Sequence, residues 1–253
     1  MARVAPRVPD LTDVLCERCG YVLNGLPDSG RCPECGEPIQ ESIGSNRVIP
    51  AWEMPAATAR DRARGFLQTT MTVILQPTRF YRTFTARGPL TVARAFASIH
   101  WWIAGGLFGV SVATHEMWYW YRIQSNSPPK VGGEAAVFAG MSLGIAVLAY
   151  LALDLTTRLA AKLTALEGTY RGYRLPYAIV LRGLYYHAAH YMPVAVAAMV
   201  TTVGYQAGLA LGLLPAQSAV IYLYVLCGQV VLSAFYLFET YWVGMRNVMY
   251  ANR

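Results

Sequence analysis

The chain has 253 residues, 55% of them hydrophobic and only 14% charged, with a formal net charge of +7 and a mean hydropathy of +0.32. A soluble globular domain carries about 25% charged residues, so this composition excludes an ordinary water-soluble domain and points to a bilayer. The charge is also divided: residues 1–53 hold five Arg against eight acids, and residues 54–253 hold sixteen basic residues against six acids. A small acidic module followed by a larger apolar, basic one is the natural division. Phosphate binding runs on Lys and Arg, so the acidic module is not expected to bind nucleic acid.

Residues 1–15 carry two Arg, two Asp and two Pro and no apolar run, so no cleavable signal peptide is expected there. Four of the five cysteines then follow in one short stretch, as Cys16-Glu-Arg-Cys19-Gly20 and Cys32-Pro-Glu-Cys35-Gly36. Each pair is a tight turn able to aim two thiolates at one cation. Gly20 and Gly36 follow directly, where a residue without Cβ fits the returning backbone. Two such turns close a tetrahedral shell at roughly 2.3 Å Zn–S, with no open position for catalysis. A disulfide or a redox Cys-x-x-Cys is the competing reading, but a redox site usually has one such motif inside a βαβ unit. The expectation is one structural zinc per chain on Cys16, Cys19, Cys32 and Cys35. A ribbon this small buries too little apolar surface to fold alone, so the metal would supply most of its folding free energy; Val22, Leu23 and Leu26 give it an apolar cap. Zinc thiolates belong in a reducing compartment.

The stretch from Cys16 to Leu26, Cys-x-x-Cys-Gly-Tyr-x-Leu-x-Gly-Leu, resembles the short zinc ribbons that begin many bacterial proteins. Pro38, Gly44, Ser45, Asn46, Pro50 and Pro55 then punctuate residues 37–57 without a sustained period, which reads as a linker. The expected organisation is a ribbon module over 1–45, a linker over 46–57 and a helical membrane domain over 58–253.

From Thr58 the apolar residues Ala59, Ala63, Phe66, Leu67, Met71 and Ile74 follow one helical face. Arg60, Arg62 and Arg64 crowd its start, and Pro77 ends it. A second basic, aromatic piece runs from Arg79 to Phe84. These are amphipathic helices suited to an anionic headgroup surface, or else to packing on the transmembrane bundle.

Four segments, at about 95–121, 135–155, 191–214 and 217–243, are long and apolar enough to cross a bilayer, which needs about 20 residues. Trp101 and Trp102, with Trp118 to Tyr121 about 26 Å further on, look like two aromatic belts. Lys and Arg number seven between Pro55 and Arg94, ahead of the first span, two, five and none in the successive loops, and two after the last. That alternation puts both termini in the cytoplasm by the positive-inside rule, and with the ribbon suggests a bacterial inner membrane. Small residues recur every fourth position at Gly105 and Gly109, at Ala136, Gly140 and Gly144, and at Gly204, Gly208 and Gly212, where helix backbones can approach closely. Packing within the chain is expected, and a homo-oligomer would use the same stripes.

The membrane part resembles the Yip-type membrane domains: an amphipathic lead-in ending Pro77-x-x-Phe80, a first span, then Arg182-Gly-Leu-Tyr185-Tyr186 before a pair of spans. Such families have five spans, with Tyr177–His187 the candidate fifth or half span. Eukaryotic members look like trafficking factors that contact small GTPases.

Gly140-x-Ser142-x-Gly144 matches a hydrolase elbow, with His115 at similar depth. It lies inside an apolar helix rather than at a strand-to-helix turn, so packing is expected. His187 and His190 are expected to be interfacial, and Cys227 a buried small hydrophobe. Glu116, Asp154 and Glu239 are the acids within spans and candidates for function by default. No acid, base and nucleophile come together, so an enzyme is not expected. The function expected is an integral membrane interaction or organising protein, with the ribbon docking an unidentified cytoplasmic protein. The alternative is a transporter or channel subunit using Glu116 or Glu239.

Overall fold

The computed structural model describes residues 9–10, 12–43, 47–124, 131–215 and 218–252. Residues 44–46 of the expected linker, Lys130 of the first loop and Gln217 at the expected start of the fourth span lie outside these, as do residues 1–8. The described chain is all helical, with no strand among its elements: α1 (Ile39–Ile43), α2 (Ala59–Leu75), α3 (Pro77–Thr83), α4 (Leu90–Gln124), α5 (Val131–Tyr170), α6 (Tyr177–His187), α7 (Tyr191–Ala210) and α8 (Ala219–Val248), with single 3-10 turns at Ala51–Glu53 and Ala188–His190. Four stretches, Leu90–Trp120, Gly133–Tyr170, Tyr177–Ala210 and Ala219–Val248, are long and apolar enough to cross a membrane. The suspected fifth span is not a separate crossing. α6 has 11 residues, about 16 Å at 1.5 Å per residue, and one 3-10 turn joins it to α7.

The chain divides into two compact units. One comprises residues 98–155 and 190–239, the other residues 1–97, 156–189 and 240–253. The first therefore holds most of the spans read from the sequence, and the second holds the ribbon and the extensions of the helices beyond those spans. α5 alone has 40 residues, roughly twice what the hydrocarbon thickness requires. In the most apolar windows of α5 and α8 only 6% of residues are buried, while Leu143, Leu148, Leu151, Ile221, Leu232 and Phe235 stand exposed. A monomeric soluble protein rarely exposes so continuous an apolar surface.

Within the span-bearing unit, α4 and α5 meet where Gly105 and Gly109 lie against backbone carbonyls. A Cβ on Gly105 would stand 3.0 Å from the Ala146 oxygen, and one on Gly109 would collide with that of Ser142. The other two stripes do not pack this way. Nothing lies within 4 Å of a Cβ built on Gly140, Gly144 or Gly204, and Gly208 faces only the side chain of Leu214. Gly212 serves a different end. Its φ of +70° closes α7 in a Schellman turn, with Leu213 N–H donating to the Gly208 carbonyl at 2.8 Å and Gly212 N–H to that of Leu209 at 3.2 Å, a conformation an L side chain resists. The aromatic belts need the same correction. Trp102, Tyr119 and Trp120 are exposed as a belt requires, but Trp101 is fully buried and meets Tyr150 edge-on, while Trp118 packs edge-on against Tyr205. Cys227 is exposed rather than buried.

In the ribbon-bearing unit, the expected linker is structured. Trp52 is buried among Phe66 and Phe96, donates its indole N–H to the Val92 carbonyl at 2.9 Å, and donates its backbone N–H to the Thr69 hydroxyl at 3.0 Å. Gly65 permits that approach, since a Cβ there would come within 2.6 Å of the Ala51 oxygen. α2 begins on a full capping box between Thr58 and Asp61. It buries Gly65, Thr69, Thr70 and Val73 and leaves Leu67, Met71 and Leu75 exposed, so its most apolar strip is not the one that packs. That uncovered strip lies on a helix that also exposes Arg60 and Arg64.

Gly109→Leu is expected to destabilise the protein by about 1–3 kcal/mol through overpacking against α5, seen as a lower unfolding temperature in detergent. Gly204→Leu, with open space around it, should leave that temperature unchanged. Equal effects from the two would refute the α4–α5 contact as the reason for glycine.

Candidate metal centre

The two cysteine turns are built alike. Leu15 bridges Val22 and Arg31 bridges Pro38. Cys16 N–H donates to the Tyr21 carbonyl and Cys32 N–H to that of Glu37, both at 2.8 Å. Gly20 and Gly36 return N–H groups to the carbonyls of Cys16 and Cys32 at 2.8 and 2.9 Å, with φ of +81° and +74°, the left-handed region glycine enters without strain. The pseudo-repeat points all four sulfurs inward: Cys16 and Cys35 lie 3.5 Å apart, Cys19 and Cys32 lie 3.6 Å apart, and all four are within 4.8 Å of one another. These separations exceed the roughly 2.05 Å of a disulfide and match the edge of about 3.8 Å implied by a tetrahedral shell at 2.3 Å. The residues therefore fit a metal ion, in a closed four-sulfur site.

Electrostatics favours the same occupant. Burial opposes ionisation of Cys32, but the N–H groups of Cys35 and Glu34 outweigh it and bring the thiol down to about 7. Burial pushes Cys16 and Cys19 the other way. Four neighbouring thiols cannot all ionise unless a cation offsets their charge, so metal binding must release protons and weaken as pH falls. Behind the sulfurs, Leu23 and Ile39 are buried, with Val14, Leu26 and Ile43 against them. Val22, expected in this cap, is exposed. Ile39 and Ile43 belong to α1, within the stretch read as linker.

The ribbon is fastened by polar groups the sequence did not mark. Glu17, inside the first turn, accepts from Arg47 Nε and Nη2 at 3.0 and 2.9 Å and from Asn252 N–H at 3.1 Å. Arg47 Nη1 donates to the Phe84 carbonyl at 3.0 Å, and its Nη2 reaches that of Asn247 at 3.3 Å. The Asn252 amide is fully used: it donates to the carbonyls of Leu15 and Ser42 at 2.8 and 2.9 Å and accepts from Leu15 N–H and Arg174 at 2.9 and 3.1 Å. Tyr250 packs on Gly20 so closely that a Cβ would stand 2.5 Å from its ring.

Arg182, counted as a loop charge in the sequence, is instead 1% exposed on α6 and paired at 2.7 Å with Glu53, 7% exposed. It also donates to the carbonyls of Thr85 and Pro89 at 3.0 and 3.3 Å, and Tyr186 OH donates to Glu53. The fragments behind the Yip resemblance meet here, with Phe80 and Tyr186 ring centres 5.2 Å apart. An Arg amid Val, Leu and Tyr was the available clue, because a charge in an apolar helix implies a buried partner.

The other candidates separate. His187 and His190 are buried. The first bonds Thr240 at 3.0 Å and the second Tyr236 at 2.8 Å, so they do not form a joint site. His115 bonds Tyr222 at 3.0 Å rather than Ser142, whose carbonyl lies at the α4–α5 contact. Glu239 is exposed and Glu116 half-buried, and Asp154 lies within α5. Comparison of the chain with protein-family models, curated proteins and solved structures finds no match.

Purified protein is expected to hold about one metal ion per chain. Cys16→Ser or Cys35→Ser should release it and Cys227→Ser should not, and acidification should release it from the wild type. Elemental analysis of the reduced protein showing no metal would overturn the site. Arg47→Ala leaves the Glu17 carboxylate, 21% exposed, with the Asn252 N–H, a loss of about 1.5–3 kcal/mol for hydrogen bonds to a charged group. It should therefore speed metal loss to a chelator; an unchanged rate would show the ribbon to be independent of its fastening.

Proposed function

We propose that this is an integral membrane organising protein whose zinc ribbon is a rigid docking surface on the cytoplasmic side. The observation that carries this reading is what the fastening leaves free. Arg47, Asn252 and Arg174 hold one side of the ribbon, while Tyr21 and Val22, 40% and 38% exposed, stand uncovered in a module that also exposes Asp28 and Glu34. An exposed apolar pair on a module with an excess of acids suits a basic protein partner. Zinc is the proposed ion because a closed four-thiolate shell is its usual structural site, and the closed shell leaves that ion no substrate position. The excess of Lys and Arg before the first span and between the second and third supports a multi-pass topology with both termini cytoplasmic, in a bacterial inner membrane. The Yip-like order of features agrees with an organising role.

The test must spare the fastening. Deleting residues 1–45 would strip Arg47, Arg174 and Asn252 of their partners, so surface variants are the better probe. Crosslinking in native membranes is expected to recover a discrete cytoplasmic partner that Tyr21→Asp with Val22→Asp loses while metal content stays unchanged. If no such partner appears, and purified protein in liposomes moves a solute in a manner dependent on Glu116 or Glu239, the transport reading replaces this one.

A further inference from the structure

In the ribbon-bearing unit a cavity of about 640 Å³ is bounded by the ribbon, the end of α3, and the last turns of α5 and α8. The Thr164 and Tyr241 hydroxyls, 2.6 Å apart, join the two long helices at its wall. Three of its arginines are already neutralised: Arg18 by Glu37 at 2.7 Å, Arg47 by Glu17 at 2.9 Å and Arg171 by Glu167 at 2.6 Å. Arg82 and Arg246 also line it, both are exposed, and neither forms an ion pair among the described residues. Glu41 lines the cavity as well. Trp242 lines it too and is half exposed.

We infer that this cavity receives the headgroup of an anionic phospholipid, with Arg82 and Arg246 taking its phosphate. Guanidinium donors match phosphate oxygens in fork geometry. Two walls are the ends of membrane-capable helices, a position where a lipid headgroup is already at high local concentration. Trp242, an amphipathic ring suited to the interfacial region, borders the mouth. Leu159, Leu163 and Leu166 form an exposed strip along the same end of α5, an apolar surface that an acyl chain can cover and a soluble anion has no use for. The ribbon supplies the opposite wall, so a lipid seated here touches the metal-bearing module itself. The inference rests on the membrane placement proposed above, but not on the Tyr21–Val22 patch or on any protein partner.

Full-length protein reconstituted in nanodiscs of mixed phosphatidylcholine and phosphatidylglycerol, then released into native mass spectrometry, tests it. Wild type should retain phosphatidylglycerol selectively. The double variant Arg82→Gln, Arg246→Gln should lose at least about tenfold of that retention, since each surface arginine contributes appreciably to anionic-lipid attraction. Arg60→Gln with Arg64→Gln, removing the same charge from α2, should retain it. The altered side chains hold no internal ion pair, so unchanged metal content and unfolding temperature are expected and confirm folding. Equal losses in both double variants would reduce the effect to general surface charge and overturn the site, as would equal retention of phosphatidylcholine. Displacement of the lipid by millimolar inorganic phosphate would assign the cavity to a soluble anion instead. None of these readouts involves the docking patch, so the inference can fail while the docking reading stands, and the reverse.

Discussion

The ribbon-bearing unit depends on one buried guanidinium. Arg47 spreads its donors over the Glu17 carboxylate and the carbonyls of Phe84 and Asn247, which ties the first metal turn to the ends of α3 and α8. A charge removed from water this completely is tolerable only when paired and hydrogen-bonded, so the three segments are bound to one arrangement. Arg182 does the same elsewhere in this unit, holding Glu53 and the carbonyls ahead of α4. Gly88 is the counterpart it needs, because a Cβ there would stand 2.7 Å from the guanidinium carbon. Both arginines spend their donors on backbone carbonyls at or near the ends of helices, where such groups need partners beyond the helix itself.

The fastening fixes the position of the ribbon. A metal turn on a loose tether presents a surface whose position varies, and binding then costs the entropy of ordering it. Here the tail from Asn247 to Asn252, the Arg47 clasp and Trp52 beneath α2 remove that freedom in advance. A metal held by the four sulfurs and the fastening would support one another: the sulfur shell would shape the backbone that offers Glu17 and Leu15, and Asn252 and Arg47 hold that backbone in place. Neither a ribbon of this size nor an isolated C-terminal tail has enough apolar surface to order itself.

The span-bearing unit follows a different physics. Lipid tails are as apolar as leucine, so burial provides no drive for its helices to associate. Among the described residues its specific contacts include Gly105 and Gly109 against α5, the stacked rings of Tyr205 and Tyr222 at 4.0 Å, and the histidine–tyrosine hydrogen bonds. The glycines that meet nothing, at 140, 144 and 204, lie on helix faces turned outward.

Residue type and local spacing alone determined the metal turns, the four membrane-capable helices and the basic, amphipathic character of α2. Each depends on chemistry within a few residues: a Cys-x-x-Cys-Gly turn carries its geometry with it, and a bilayer selects length and apolarity without regard to neighbours. Tertiary structure decided the rest. Arg182 reads as a loop charge and Glu53 as part of an acidic run until the fold brings these residues, 129 positions apart, into one ion pair. Ile39 looks like linker until α1 turns it onto the sulfur cluster, and Asn252 looks like a tail residue until it meets Leu15 and Ser42. Which glycines pack, and which merely face outward, is equally invisible in a periodic stripe, because the stripe states what a helix permits and only its neighbour decides whether the space is used.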